Sequence, residues 1–135
     1  MEAWRRLAIE LFPEYAGKYL NTDSIYSVLS DLEDMVDEAH QQNNENDLVR
    51  IYKFTEWCYS QKDNDPDIWE AASITFYQHL LDNDLTLWAI PYWVKPDTFQ
   101  EKRDDFETRM ELERRGTKFY ELLDRYNEVN GTDFD

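Results

Sequence analysis

Carboxylates dominate the chemistry open to this sequence. Asp31, Asp34, Asp37 and Glu38 recur at three- and four-residue steps, the spacing that lines side chains up along one helix face about 5–6 Å apart. Asp63, Asp65 and Asp67 alternate through a turn, followed by Trp69 and Glu70. Such rows offer negative charge to a metal or to the basic face of another protein. The run Asp63, Asp65, Asp67 imitates the start of a calcium loop, but the sixth place is Ile68 and the twelfth is Ile74, where glycine and glutamate are needed. Asp37-x-x-His40 has the spacing used in di-metal helical bundles. Those sites need the motif twice with two further carboxylates, and the second histidine, His79, has Phe76 at that step.

A nucleophile would have to be Cys58, with His40 or His79 as its base. Cys58 lies within an apolar run and reads as a buried structural thiol. His79 shares a helical face with Ile68, Ala72 and Phe76 and reads as a hydrogen-bonded core histidine. Glycines at 17, 116 and 131 cannot make a phosphate loop. The expectation is therefore a protein that is not an enzyme, with no catalytic residue, no cofactor and no metal. Among the tryptophans, Trp57 reads as core. Trp69 lies off the Ile68–Ala72 face and reads as a partly exposed interface anchor. Trp88, Tyr92 and Trp93 admit either use.

The elements that position these residues are helices. Hairpin signals are absent, while apolar residues recur at helical period. Glu2–Leu20 reads as a helix interrupted by Pro13. Ser24–Gln42 is strongly amphipathic, with Ile25, Val28, Leu29, Leu32, Met35, Val36 and Ala39 opposite the acidic row. Asp47–Gln61 has a wide apolar arc. Pro66–Leu81 reads as one central helix, opened by Asp65 and Pro66. Leu85–Val94, closed by Pro91 and Pro96, reads as a turn of helix or an irregular packed crossover. A last helix runs from Asp97 to about Val129, bent at Gly116 and laced by Asp105–Arg109, Glu111–Arg115 and Glu121–Arg125 pairs. Its first half reads as lying on the surface and its tail as frayed. The sum is an all-α single domain over 1–135, an antiparallel bundle or short stack of helical hairpins with about five to six helices.

Thirty acids oppose fourteen bases, for a net charge of −16. Direct binding to nucleic acid or anionic lipid is disfavoured, because the phosphate interaction would be repulsive. A basic protein partner is favoured, by steering. The charge is uneven. Residues 21–94 hold fifteen acids and three bases, while 95–135 hold twelve and eight. One cysteine, an N-terminus broken by Glu2, Arg5, Arg6 and Glu10, and no apolar run approaching about 20 residues together predict a cytoplasmic chain without a membrane span.

The segment Ile51-Tyr52-Lys53-Phe54-Thr55-Glu56-Trp57-Cys58, then Ala71, Phe76-Tyr77-Gln78-His79-Leu80 and Ile90-Pro91-Tyr92-Trp93, resembles small helical immunity proteins of bacterial toxin–immunity systems, the contact-dependent growth inhibition type. The resemblance covers about a third of the chain and rests on packing motifs. It implies a cytoplasmic inhibitor that occupies the active site of one toxin molecule, often a nuclease with a basic cleft. It carries over no binding residue, because such proteins recognise their toxins through individual surfaces. From the charge pattern itself, the expected contact residues are Asp31, Asp34, Asp37, Glu38, Asp63, Asp65, Asp67, Trp69 and Glu70. The alternative is a nucleic-acid mimic that inhibits a DNA- or RNA-binding defence protein.

Overall fold

Helical period prevails along the whole chain: the computed structural model describes residues 1–135, and every regular element in it is helical. There are eight α-helices rather than five or six: α1 Ala3–Leu11, α2 Ala16–Asn21, α3 Ile25–Gln41, α4 Glu45–Tyr59, α5 Pro66–Ala72, α6 Asp84–Trp93, α7 Pro96–Leu112 and α8 Gly116–Asn130. None is long and apolar enough to cross a membrane. Met1–His79 and Leu80–Asp135 each form a compact unit.

In the first unit, Pro13 splits the opening helix as its missing amide hydrogen requires, leaving a 3-10 turn over Pro13–Tyr15. Two arginines close this break. Arg5 donates to the carbonyls of Tyr19 and Thr22 at 2.6 and 2.8 Å. Arg50 donates to the Leu11 carbonyl at 3.0 Å and to Glu14. Helix α3 buries Ile25, Val28, Leu29, Leu32, Val36 and Ala39, the stripe its periodicity predicts. It ends with Asn43 in the left-handed region, where the amides of Asn43 and Asn44 turn back to the carbonyls of His40 and Ala39. The Asn44 side chain then caps α4 by accepting from the Asp47 amide. Trp57, expected in the core, is only half-buried, because Phe54, Thr55, Cys58 and Tyr59 take the inward positions of α4.

Asp65 caps α5 and Pro66 occupies its first turn. The single helix expected over Pro66–Leu81 is not formed. After Ala72 the backbone widens into a π-helical turn over Ser73–Tyr77, then tightens into a 3-10 turn over Gln78–Leu81. The wider turn accommodates Phe76 and Tyr77, sequence neighbours that are both fully buried. Their rings stand edge-on to Tyr52 and Tyr59, with centroids 5.7 and 5.2 Å apart.

In the second unit, the stretch expected as a turn of helix or a crossover forms the ten-residue helix α6, Asp84–Trp93, despite Pro91. The proline sits in the last turn of α6, and its carbonyl accepts from Asn130 Nδ2 at 2.8 Å. The helix expected from Asp97 to Val129 is two. It breaks at Glu113–Arg115, where Arg114 adopts φ 59° and the amides of Arg114 and Arg115 turn back to Glu111 and Met110. This helix-ending turn usually carries glycine at the left-handed place; here Gly116 falls two residues later and opens α8. Nor does α7 lie flat on the surface, since Thr98, Phe99, Lys102, Phe106 and Met110 form a buried stripe. Phe99 stacks on Tyr126 at 3.8 Å between centroids, and the Tyr126 hydroxyl donates to the Val94 carbonyl at 2.6 Å. Beyond Asn130, the Asn127 side chain bonds both the amide and the carbonyl of Phe134, at 2.9 and 2.8 Å.

Candidate functional site

The amphipathic α3 turns its apolar stripe inward, so Asp31, Asp34, Asp37 and Glu38 must emerge on the other side. All four do, though with different surroundings. Asp34 and Glu38 are exposed, Asp31 and Asp37 half-buried. Asp34 makes no ion pair. Glu38 accepts only from the Gln42 amide group, at 3.2 Å. Asp31 is not free: its Oδ2 lies 2.6 Å from Lys18 Nζ. Behind this pair, burial above all, and then the Asp31 charge, push the Tyr19 phenol up. Tyr15, Lys18, Tyr19, Asp31, Asp34 and Met35 line an open cavity of about 250 Å³.

Asp37 is turned partly inward, where its charge acts on His40 and Tyr52. His40 is buried, with Nε2 2.9 Å from the Tyr52 hydroxyl. Burial lowers its pKa, and the Asp37 charge opposes that. The core histidine of this unit is thus His40, whereas His79, expected in that role, has its side chain 38% exposed with Nδ1 3.2 Å from Glu33 Oε1. The π-helical turn that precedes His79 displaces it from the face it would share with Ile68 and Ala72 on a regular helix.

The second group stands at the entrance to α5. Asp65 is committed to the cap, its Oδ1 accepting from the Ile68 amide at 3.4 Å. Asp63, Asp67 and Glu70 are exposed and make no ion pair. No hydrogen bond or ion pair joins this group to the α3 row. Trp69 is half-buried. Its ring lies 5.7 Å from that of Tyr59, the Lys62 ammonium sits 4.8 Å over it, and its buried Nε1 lacks a hydrogen-bond partner. Cys58 is fully buried, and burial pushes its thiol up, away from the thiolate that reacts.

Helical periodicity found the α3 row. It missed Lys18, which covers one member of that row. It also missed the buried Lys102, whose side chain is 1% exposed with Nζ 3.2 Å from Asp105. Its spacing from Thr98 and Phe106 is the signal that would have revealed it, since a lysine stem packs as an apolar chain.

Residues 5–108 match the profile of a family described as a domain of unknown function, DUF7674. Nothing among curated proteins or solved structures matches the chain.

Proposed function

The chain belongs to the DUF7674 family, and from its charge and geometry we propose that it is an inhibitor of the immunity-protein kind, binding one basic protein partner, a nuclease toxin domain, one to one in the cytoplasm. The observation that carries this reading is the set of exposed carboxylates without a cation: Asp34 and Glu38 on α3, and Asp63, Asp67 and Glu70 at the start of α5. An isolated acidic helix is ordinarily a solvated face. Here the unit that carries both groups holds sixteen acids against six bases. Two of those bases, Arg5 and Arg50, are committed to carbonyls around the Pro13 break. Lys18 neutralises Asp31 alone on the outer side of α3, so the field is left uncompensated at Asp34 and Glu38. It would speed encounter with a basic cleft, and the helix face would then exclude substrate phosphates by volume and by charge. The resemblance of Ile51–Cys58 and of Phe76–Leu80 to immunity proteins supports the same class.

The test is capture of the partner from the native host, followed by association kinetics with Asp34→Lys, Glu38→Lys, Asp63→Lys, Asp67→Lys and Glu70→Lys combined. The expected result is an association rate at least about tenfold lower at low salt, with a flattened salt dependence. An unchanged rate and salt slope would sink the acidic-face mechanism. A captured DNA- or RNA-binding defence protein in place of a toxin would move the chain to the nucleic-acid-mimic class.

A further inference from the structure

The outer side of α6 is apolar where a surface helix is ordinarily polar. Leu85, Trp88, Ala89 and Tyr92 fall on one stripe by helical spacing. Leu85 is 45% exposed and Tyr92 63%, with Trp88 and Ala89 half-buried between them. Trp88 also forms a wall of an open cavity of about 400 Å³ whose other walls are Glu121, Asp124, Arg125 and Glu128 of α8. In that cavity the Arg125 guanidinium lies over the Trp88 indole, 5.4 Å from its centroid.

Glu121 and Arg125 have the spacing of a favourable helical ion pair, yet they form none. Asp124 and Glu128 are likewise exposed and without an ion pair. Three carboxylates thus rim an indole face on which a guanidinium rests without a carboxylate to bind its N–H groups. An indole face attracts a guanidinium, and carboxylates are the groups that bind its planar donors. The chain's own arginine supplies the first interaction and leaves the second unused.

We propose that this groove is a recognition site for a basic, amphipathic segment of a protein partner. An arginine of that segment displaces Arg125 from Trp88 and is held by Glu121, Asp124 and Glu128, while flanking apolar residues pack on Leu85, Ala89 and Tyr92. The rim holds three carboxylates against one guanidinium, so it selects cationic segments and repels anionic lipid and nucleic acid. A second copy of so acidic a chain is disfavoured for the same reason. The inference rests on the reading of a basic partner but uses residues of α6 and α8 in place of those of α3.

The probe is a fluorescein-labelled peptide of alternating leucine and arginine, titrated by anisotropy against the whole chain at about 0.15 M salt, where exposed charges are screened beyond about 8 Å. Trp88→Leu is expected to weaken binding about tenfold. The combined Glu121→Gln, Asp124→Asn and Glu128→Gln variant should weaken it at least as much. Arg125→Ala should tighten binding about threefold, and only while Trp88 is present, a gain that a merely structural role of Arg125 would not give. Asp34→Lys with Glu38→Lys should leave the peptide unaffected, which separates this site from the α3 face. Absence of binding would overturn the proposal, as would affinity that follows the α3 charges and ignores Trp88, or weaker binding by Arg125→Ala.

Discussion

The units Met1–His79 and Leu80–Asp135 carry sixteen and fourteen acids, yet they manage them differently. In the second, cations are spread among the acids, apart from Glu121, Asp124 and Glu128 on α8. Arg103 pairs with Asp104 and Glu107, Arg109 with Asp82, and Lys118 with Asp84, at 2.7–3.0 Å. Hydrogen bonds from Tyr120 and then from Arg103 hold the Glu107 carboxyl below the usual range. In the first, Arg50 takes Glu14 and Asp47, Arg5 takes Glu2, and Lys18 takes Asp31. Asp34, Glu38, Asp63, Asp67 and Glu70 are left without a cation. Acids alone do not make a binding face. What matters is where the neighbouring cations are already committed.

That contrast can be broken most severely at Lys102. Lys102→Glu would bury a carboxylate beside Asp105 and is expected to cost about 3–5 kcal/mol in urea unfolding. Lys102→Met keeps the packed stem and should change stability by less than about 1.5 kcal/mol. Equal losses from both would mean that the lost ammonium, and not the buried carboxylate, accounts for the effect.

The next effect is one of pH in the first unit. His40 is buried with its folded pKa lowered by burial, so the unfolded chain binds the proton more readily. Stability conferred by neutral His40 is complete above its unfolded pKa of about 6.5 and is lost as pH falls below that value toward the folded pKa. Urea midpoints measured from pH 7.5 to 5 should decline, and His40→Gln should flatten that decline. A decline of the same size in His40→Gln would assign it to other groups.

A smaller and opposite change is expected at the α7–α8 break. Arg114 holds a left-handed conformation, which costs a non-glycine residue about 1 kcal/mol. Arg114→Gly should therefore raise unfolding free energy by about that amount, read as a higher thermal midpoint. A lower midpoint would show that the Arg114 side chain contributes more than its backbone strain costs.

The smallest effect falls on the proposed binding face. Asp34→Lys and Glu38→Lys should each shift stability by less than about 0.5 kcal/mol, because neither acid has an ion pair to lose. A loss above about 1 kcal/mol would mean that these acids serve the fold, which would remove the ground for treating them as available to a partner.

The sequence by itself determined the all-helical class, the buried stripe and acidic outer row of α3, the Pro13 break, the Asp65–Pro66 helix start and the burial of Cys58. These follow from local periodicity and from proline and capping chemistry, which act within a few residues. Tertiary packing decided the rest. It replaced the expected helix through Leu81 with a π-helical turn that buries both Phe76 and Tyr77, put His40 in the core instead of His79, and drew Lys102 inward along an otherwise polar helix. It also paired Asp31 with Lys18, and turned Arg125 from the nearby Glu121 to the distant Trp88. Each of those outcomes depends on what a side chain meets from another segment of the chain, and helical spacing alone holds no information about that.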